Sequence, residues 1–532
     1  MTARCLRRHR PLGLAAVLLL VAPTLFALLR FGAQGAAGVL DPGFGTNGTV
    51  TTDVGAFLRA GAGSTPPSTT PPSTTPPSTT PPGTSPPSTS PPSTGPVPTA
   101  PPTDHDEATA LSVLGDGRIV VAGLGSNGQT NGDDFVLARY GADGALDPAF
   151  GTGGLTATDF PLSEVPGGPQ PLPGAGPGVD DDALALAVQP DGKLVAGGVA
   201  HQDFALARYL PDGALDPSFG SNDSGRVTTD LGPNRDDVVF GVAFQPPDRR
   251  IVVGGFTTDS EARHRFSLLR YLPDGGRDFS YFGGNDTQVP LPVIADFGGQ
   301  NEEAHAIAIQ ADGTVIAAGT SVDAAGTPRF VAARFAADGN LDPGFGTGGL
   351  FVLDLGAPAT GPSTGGARAL AIQPDGAILL AGTAPMGAGD PRTGFAVVRL
   401  NPNGTVDAGF GNQGVVRTAV GSQAGARGVA VAPDGKILAA GVGGPNQVAL
   451  ARYDPDGALD ASFGPAAGTV TTAIGTGSMA DALAVSPDGR PVVAGQAQAG
   501  AAGSDFAVAR YLADPQVSIG DLRIGEGDRG LT

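Results

Sequence analysis

The sequence predicts an all-β fold, a seven-bladed β-propeller of four-stranded antiparallel blades, closed by the N-terminal strand joining the last blade. Three observations lead to this prediction. One unit of short apolar strands and tight turns is copied seven times, with steps from 53 residues (Arg399 to Arg452) to 69 residues (Arg139 to Arg208). The first six copies each hold short runs for four strands. The repeat region begins with a lone fourth strand and ends with a unit of only three, so its two ends complement each other.

The first two strands of each unit form a predicted hairpin. In the second unit, residues 185–188 are an apolar run that is too short for a helix and is bounded by turn residues, which indicates a buried strand. Asp191-Gly192 then supplies the backbone freedom that a tight hairpin needs. The third unit departs from this pattern and has Asp248-Arg249 at the turn.

The third strand follows at residues 204–209, and a β-branched fourth strand follows at 226–230. No stretch of the repeat region shows a helical apolar period with caps, so no helix is predicted. A solenoid is the alternative to a ring, but it would need atypical capping repeats at both ends, and the sequence shows none. If the ring closes, residues 48–54 should pair beside residues 505–511.

Three motifs of the second unit carry a family resemblance: Ala-Val-Gln-Pro-Asp-Gly-Lys at 187–193, Phe-Ala-Leu-Ala-Arg-Tyr at 204–209 and Leu-Asp-Pro-Ser-Phe-Gly at 215–220. They resemble the delta-60 repeat family of bacterial β-propellers. The units are also similar to NHL repeats in strand order, which implies that the first strand of each unit is innermost. This resemblance implies a fold and almost no defined activity. The C-terminal segment resembles the opening strand of a Calx-beta domain, of which only about one strand is present.

Five segments are predicted along the chain. They are a signal peptide or signal anchor (1–37), the closing strand (38–60), a Pro/Ser/Thr-rich disordered linker (61–103), the propeller repeats (104–512) and a tail that starts like a truncated Calx-beta domain (513–532). In the first segment four arginines precede a long apolar run, and small residues follow that run, which is the pattern of an export signal. The linker is either an O-glycosylated stalk or an unmodified spacer.

The expected location is therefore outside the cell, as a secreted or cell-surface protein. The single Cys, Cys5, lies in the export signal, so no disulfide is expected. The net charge of −20 argues against nucleic acid and anionic membranes as partners. Membrane contact is expected only through an uncleaved N-terminal segment, and the protein is expected to be a monomer. No cofactor is predicted, and calcium is the one ion that the acidic composition would favour.

One column of the first strand varies from unit to unit, whereas its neighbours are apolar or small. Its seven members are Thr109, Leu184, Phe240, His305, Arg368, Arg427 and Asp481. We expect this column at one mouth of the channel, where the long variable loops open, and loops on a rigid scaffold often bind ligands. His305, Arg368, Arg427 and Asp481 are the candidate ligand-binding residues. The alternative is that they are solvated residues at strand ends.

A second column is invariant and carries an Arg in every third strand, with an Asp following it. The predicted pairs are Arg139 with Asp147, Arg208 with Asp216, Arg270 with Asp278, Arg334 with Asp342, Arg399 with Asp407, Arg452 with Asp460, and Arg510 with Asp41. Arginine makes planar, bidentate pairs with carboxylates. We therefore predict one structural Arg–Asp pair per blade at the corner between the third and fourth strands.

These observations favour a non-enzymatic, exported scaffold for binding or adhesion at the bacterial cell surface, with an unidentified protein or glycan ligand. No catalytic residue is assigned. The alternative is a hydrolase or lyase that acts on a polysaccharide or lactone. Such an enzyme needs two carboxylates, or a carboxylate and a histidine, that converge on the mouth. Asp481 and His305 are the only such pair among the candidates, and they lie in units far apart in order.

Overall fold

The computed structural model describes residues 37–62, 104–126, 132–161, 181–221, 223–232, 236–281, 292–356, 365–387, 390–421, 423–498 and 503–514. Within these residues the chain forms seven antiparallel sheets, and the first strands of successive sheets contact one another in a closed ring. The predicted seven-bladed propeller is confirmed. Nearly all of the predicted export signal, the predicted linker and the C-terminal tail lies outside the described residues.

Each blade contains four strands, which are named below in order from the innermost to the outermost. Blade 1 has β3 (Glu107–Val113), β4 (Ile119–Ser126), β5 (Asp133–Tyr140) and β6 (Leu155–Thr158), and blade 2 has β7 (Asp181–Val188), β8 (Leu194–Ala200), β9 (Asp203–Tyr209) and β10 (Arg226–Thr229). Blade 3 has β11 (Asp237–Gln245), β12 (Arg250–Thr258), β13 (His264–Tyr271) and β14 (Val293–Ala295), and blade 4 has β15 (Asn301–Ile309), β16 (Val315–Val322), β17 (Pro328–Phe335) and β18 (Leu350–Leu353). Blade 5 has β19 (Gly366–Ile372), β20 (Ile378–Pro385), β21 (Thr393–Leu400) and β22 (Val415–Thr418), and blade 6 has β23 (Gly425–Val431), β24 (Ile437–Gly443), β25 (Gln447–Tyr453) and β26 (Thr469–Thr472). Blade 7 has β27 (Ser478–Val485), β28 (Pro491–Gln498), β29 (Gly503–Arg510) and β1 (Thr49–Thr52).

The recurrent hairpin turn follows from its Asp-Gly pair. Gly192 has φ +85°, a conformation that glycine adopts without a steric penalty. In the third unit, Arg249 takes this left-handed position with φ +57°. The six units that carry the Asp-Gly pair therefore form the turn without strain from a side chain.

The ring closes in blade 7, where the N-terminal strand β1 pairs with β29. The register is antiparallel, from Thr49 opposite Ala509 to Thr52 opposite Phe506. The predicted closure is confirmed. A short strand that the sequence did not predict, β2 (Asp104–His105), pairs in parallel with the other half of β29. The chain thus passes β29 twice, once before and once after the linker.

One helix contradicts the expectation of an all-strand repeat region. Helix α1 (Val54–Ala62) directly follows β1. Its first turn is capped, because Asp53 accepts a hydrogen bond from the Ala56 N–H, and Asp106 accepts two more from Val54 and Gly55. Val54 is fully buried against blade 1, with Phe57 and Leu58 packed beside it. No helix among the described residues is long and apolar enough to cross a membrane.

The hydrophobic core lies between neighbouring blades. Between blades 2 and 3, for example, Leu206 and Phe219 pack against Val239 and Val253. Buried tyrosines add hydrogen bonds across the same boundaries, as Tyr209 does by donating to Thr158 at 2.9 Å. The blades are therefore held as one rigid ring around the channel, on which variable side chains can be mounted.

Candidate functional site

Every first strand contains a β-bulge at the same place, and the variable column is the bulge. In β15, for example, Ala304 is opposite Gly319 and Ala306 is opposite Ala318, which leaves His305 without a partner residue. The other bulged residues are Thr109, Leu184, Phe240, Arg368, Arg427 and Asp481. A bulge bends the strand and re-aims a side chain. The position that the sequence marked as variable is therefore also the position that the backbone sets apart.

A glycine in the second strand makes each bulge possible. In blade 5, a Cβ on Gly382 would lie 1.9 Å from the backbone oxygen of Gly366, which is far inside van der Waals contact. The same conflict recurs in the other six blades, at Gly123, Gly198, Gly255, Gly319, Gly441 and Gly495. This close approach of two backbones explains why the second strand repeats a glycine.

The seven bulged side chains line one cavity of about 710 Å³ in the channel. The next layer is apolar and consists of Leu111, Leu186, Val242, Ile307, Leu370, Val429 and Leu483. The four candidates His305, Arg368, Arg427 and Asp481 thus share one cavity. A volume of this size suits a small-molecule or sugar ligand.

On one side of the cavity, ring closure brings blades 7 and 1 together and creates an acidic pair. The Asp481 carboxylate contacts the Arg427 guanidinium, and its charge acts on the neighbouring Glu107 carboxyl group. The Gln496 side chain donates a further hydrogen bond to Glu107 at 3.1 Å. Three blades therefore contribute to one polar cluster.

The two carboxyl groups of the acidic pair both have raised pKa values. Burial first, and then the neighbouring Asp481 charge, raise the pKa of Glu107 to about 7. Burial also raises the pKa of Asp481, although Arg427 opposes this effect. Two neighbouring carboxyl groups do not both ionise easily, because each negative charge disfavours the other.

On the other side, His305 is almost fully buried and lies between charged groups. Its Nε2 atom is 3.2 Å from Glu303 Oε2, and its Nδ1 atom is 3.5 Å from Arg368 Nη1. Glu303 also contacts His264 Nδ1 at 2.6 Å. The Phe240 ring lies 5.0 Å from the His305 ring, centroid to centroid. This side of the cavity therefore combines an aromatic wall with an arginine.

Burial fixes His305 in its neutral form. Burial first, and then the nearby Arg368 charge, lower the pKa of His305 to about 3. Burial acts to raise the pKa of Glu303, but the hydrogen bond from His264 and the neighbouring His305 and Arg368 lower it overall. Desolvation by the surrounding channel wall also lowers the pKa of Arg368, although its side chain is exposed to the cavity. At neutral pH this side therefore carries a carboxylate, an arginine and an uncharged imidazole.

Four residues of the site were missed from the sequence: Glu107, Glu303, His264 and Gln496. Glu107 and Glu303 both stand two residues before a bulge, and residues two apart in a strand share a face. That column also varies between units, so the signal was present. The expectation that Asp481 and His305 are the only possible acid–base pair is wrong, because ring closure puts Glu107 beside Asp481.

The invariant arginines build a corner in every blade. Each arginine donates from Nε to Oδ2 of its predicted aspartate at 2.7 to 2.8 Å. An aromatic ring three residues after each aspartate lies beneath the guanidinium, at Phe150, Phe219, Tyr281, Phe345, Phe410, Phe463 and Phe44. We call each set an Arg–Asp–aromatic corner. The ring adds a cation–π contact that the sequence reasoning missed.

The geometry of the corner differs from a bidentate pair. Oδ2 takes the arginine, whereas Oδ1 accepts the backbone N–H two residues later, as Asp216 Oδ1 does from Ser218 at 3.0 Å. In six of the seven corners Nη1 of the arginine reaches a backbone carbonyl of the next blade, as in the contact of Arg208 with Pro273. The corner therefore joins neighbouring blades as well as the two strands of one blade.

Comparisons with known proteins agree with the ring. Seven segments match the family described as "Domain of unknown function (DUF5122) beta-propeller", at residues 114–150, 189–219, 247–286, 310–345, 373–410, 432–463 and 486–514. Each blade contributes one match, so the chain is a repeat β-propeller. The finer resemblances to delta-60 repeats and to a Calx-beta domain stay predictions. No curated protein matches the chain.

Solved structures similar to this chain include several propellers. The PQQ-bound aldose sugar dehydrogenase of Streptomyces coelicolor is 14% identical, with 61% of this chain and 93% of that chain covered and a TM-score of 0.35. The polysaccharide lyase Uly1 is 12% identical, with 76% and 89% covered and a TM-score of 0.41. A protein of unknown function from Dyadobacter fermentans is 12% identical, with 77% and 95% covered and a TM-score of 0.37. Similarities at this level of identity do not indicate an activity for this chain.

Proposed function

We propose that this chain is a non-enzymatic binding propeller whose channel cavity takes an anionic ligand of sugar size, such as an acidic residue of a glycan. The observation that carries the proposal is that all seven bulged side chains, the positions at which the repeats disagree, line one cavity. A rigid repeated scaffold with one variable ring is suited to recognition, because the scaffold keeps the binding groups in place without a ligand.

The charge of the ligand follows from the two arginines. Arg368 and Arg427 are both exposed to the cavity, and Asp481 neutralises Arg427. Arg368 makes no ion pair within the described part of the chain, and its Nη1 contact with His305 is long at 3.5 Å. A guanidinium with unused donors binds a carboxylate or sulfate group through two parallel hydrogen bonds. Arg368 is therefore the proposed anchor for a negative group.

The sugar-like character of the ligand follows from the rest of the wall. Phe240 and Leu184 give an apolar surface, whereas Thr109, Asp481 and Glu107 offer hydroxyl and carboxyl groups. Ligand sites usually combine such an apolar wall with a few placed polar groups. A pyranose ring with one acidic substituent presents an apolar face, hydroxyl groups and a charge, and so matches all three parts.

The test is binding of uronic-acid oligosaccharides and matched neutral oligosaccharides, measured by isothermal titration calorimetry. We expect binding of the acidic ligands and a loss of roughly tenfold or more for Arg368→Gln, because a charged hydrogen bond is removed. Arg417→Gln, on the outer strand of the same blade, is the matched control and should bind normally. Equal affinity of Arg368→Gln and the parent chain would rule out this anchor.

Catalysis on a polysaccharide or lactone is the second candidate function. The observation that favours it is the pKa of Glu107 near 7, since a general acid or base works best with a pKa close to the working pH. Turnover of an acidic polysaccharide that Glu107→Gln abolishes would replace the binding proposal.

We also propose export to the cell surface or the medium, as the charged and then apolar N-terminal sequence supports. An acidic glycan of the cell envelope or surroundings is then within reach of the cavity. Cell fractionation and N-terminal sequencing of the natural protein test this. Recovery of the intact chain from the cytoplasm alone would contradict it.

A further inference from the structure

Three aspartates meet at the boundary between blades 1 and 2, away from the channel cavity. Asp134 is near the start of β5, Asp159 directly follows β6, and Asp181 begins β7. One carboxylate oxygen from each lies within 4.8 Å of the others. We call this set the blade 1–2 cluster.

One carboxylate oxygen of the blade 1–2 cluster is buried without a partner. Asp181 is only 2% exposed. Its Oδ2 atom accepts a hydrogen bond from the Phe160 N–H at 2.8 Å, whereas its Oδ1 atom has no hydrogen-bond partner among the described residues. Burying a carboxylate oxygen without a partner is costly, and such oxygens are rare in folded proteins. The fold therefore leaves a place for a positive group beside Asp181.

The corresponding cluster at the next blade boundary, Asp203, Asp230 and Asp237, has protein donors for its buried carboxylate oxygens. There Asp237 takes the place of Asp181, and its oxygens accept hydrogen bonds from the Leu231 N–H and from the Thr257 hydroxyl group. Thr257 is opposite Asp237 in the sheet, whereas Ala200 is opposite Asp181. Alanine offers no donor. The missing hydroxyl group is what separates the blade 1–2 cluster from its repeat.

A third cluster, at the boundary of blades 7 and 1, also has internal donors. It consists of Asp53, Asp106 and Asp505. Asp106 accepts N–H groups of Val54 and Gly55 through one oxygen, and of Ser126 through the other. Its carboxylate therefore serves as a cap for α1 and β4, and three acidic residues alone do not define the inferred site.

We propose that Asp134, Asp159 and Asp181 bind a Ca²⁺ ion that ties blade 1 to blade 2. Calcium takes carboxylate oxygens at about 2.3–2.6 Å, so two ligands of one ion lie at most roughly 5 Å apart, as the oxygens of this cluster do. The donors are oxygen only, because His201, although near Asp159, does not join the cluster. Three carboxylates suit Ca²⁺ better than Mg²⁺, which prefers one or two and keeps its water.

The electrostatics of the cluster agree with a cation. Burial first, and then the charges of Asp159 and Asp134, raise the pKa of Asp181 to about 8. Burial and Asp159 also raise the pKa of Asp134, to about 6. A divalent ion among the three groups would replace this repulsion with attraction.

The test is calcium titration of the full chain after treatment with a chelator, followed by calorimetry and thermal melting. We expect a Ca²⁺ site whose occupation raises the Tm, since the ion binds the folded state. Asp159→Asn, a change at an exposed position, should weaken this site by roughly tenfold or more because a charged ligand is lost. The matched control is Asp230→Asn, the exposed member of the cluster between blades 2 and 3, which should leave the site unchanged.

Each outcome decides for or against the proposal. A chain that binds no Ca²⁺ at millimolar concentration overturns it, and so does an unchanged affinity in Asp159→Asn. A loss in Asp230→Asn of the same size would place the ion elsewhere and also overturn it. A second variant, Ala200→Thr, supplies the hydroxyl group that blade 3 has, and we expect it to raise the Tm without Ca²⁺ and to reduce the Tm gain that Ca²⁺ produces.

Discussion

Arginine occupies two opposite environments in this molecule. Arg208 is buried, and its Nε, Nη1 and Nη2 groups each meet an acceptor, on Asp216, Pro273 and Ser218. Arg368 stands on a bulge, is exposed to the cavity and has no ion pair within the described residues. A guanidinium whose donors are satisfied internally serves the fold, whereas one with unused donors can bind a ligand. In the sequence, the internally satisfied arginines recur in every repeat, whereas the arginines of the cavity stand at a position that varies between repeats.

The Arg–Asp–aromatic corners should differ in strength according to burial. Asp216→Ala leaves Arg208 buried without its carboxylate, which should cost about 3–5 kcal/mol of unfolding free energy. Asp342→Ala should cost clearly less, because Arg334 is 15% exposed and can turn to water, whereas Arg208 is 6% exposed. Thermal and denaturant unfolding of both variants show which of them loses more unfolding free energy. Equal stability of Asp216→Ala and the parent chain would contradict a structural role for the corner.

The stability of the protein should depend on pH through Glu107. Its pKa rises from 4.5 to about 7 on folding, so between these values the folded chain keeps a proton that the unfolded chain has lost. The contribution of Glu107 to stability is therefore present below pH 4.5 and is lost as pH rises towards 7. The charges that act on it are Asp481, Arg427, His105 and Asp182.

Replacing the Glu107 carboxyl group should remove its contribution to the pH dependence of stability. We expect Glu107→Gln to gain Tm relative to the parent chain at pH 8, with a smaller gain or none at pH 5. Melting curves of both proteins at the two values provide the measurement. A difference in Tm that does not change with pH would show that Glu107 titrates normally.

At the scale of the element, the bulge is what turns a structural strand into a site. Each first strand is paired along its length except at one residue, where the missing partner and the facing glycine let the side chain point into the channel. The hydrophobic alternation of the strand predicts its pairing but not this local shift, because a bulge depends on the facing strand. Helix α1 is the other local departure, and its signal, Asp53 before Val54, Phe57 and Leu58, is short and easily taken for a turn.

The glycine opposite the bulge gives a direct test of this element. Gly382→Ala should lower the Tm, because a Cβ 1.9 Å from the Gly366 oxygen forces β19 and β20 apart. It should also weaken ligand binding, since Arg368 loses its orientation. The control is Gly387→Ala in the same blade, because a Cβ at this position would have no neighbouring atom within 4 Å. This variant should behave as the parent chain. An unperturbed Gly382→Ala would mean that the bulge is not needed.

At the scale of the whole molecule, closure of the ring completes blade 7 and also assembles part of the channel cavity. Strand β1, the Phe44 ring and Asp41 all belong to the N-terminal segment, yet they complete blade 7 by contacts with β29 and Arg510. The same closure brings Glu107 of the first blade beside Asp481 of the last. In the closed ring each blade keeps only a short outer edge strand, whereas loss of β1 would leave the longer β29 at the edge of blade 7.

Loss of the closing segment should open the ring. A chain that starts at residue 104 should melt at a lower temperature and aggregate, because β29 becomes an edge strand. A peptide of residues 37–62 added in trans should restore the Tm in part. The same peptide with Phe44→Ala should restore less, since the ring beneath Arg510 is missing. A truncated chain as stable as the parent would show that closure contributes little.

The number of blades and the Arg–Asp partners could be predicted from the sequence because their motifs recur in every unit, and the closure because the two ends of the repeat region complement each other. The strand order followed from the resemblance to NHL repeats. The channel cavity was predicted in part: the bulged residues were identified because they vary, but Glu107 and Glu303 were not. Only the tertiary structure showed that Glu107 lies beside Asp481 and that Asp181 has an unpartnered oxygen. These facts depend on which side chains meet across blade boundaries. The repeat pattern in the sequence reveals what the blades have in common. Packing between blades determines which of the variable side chains come into contact.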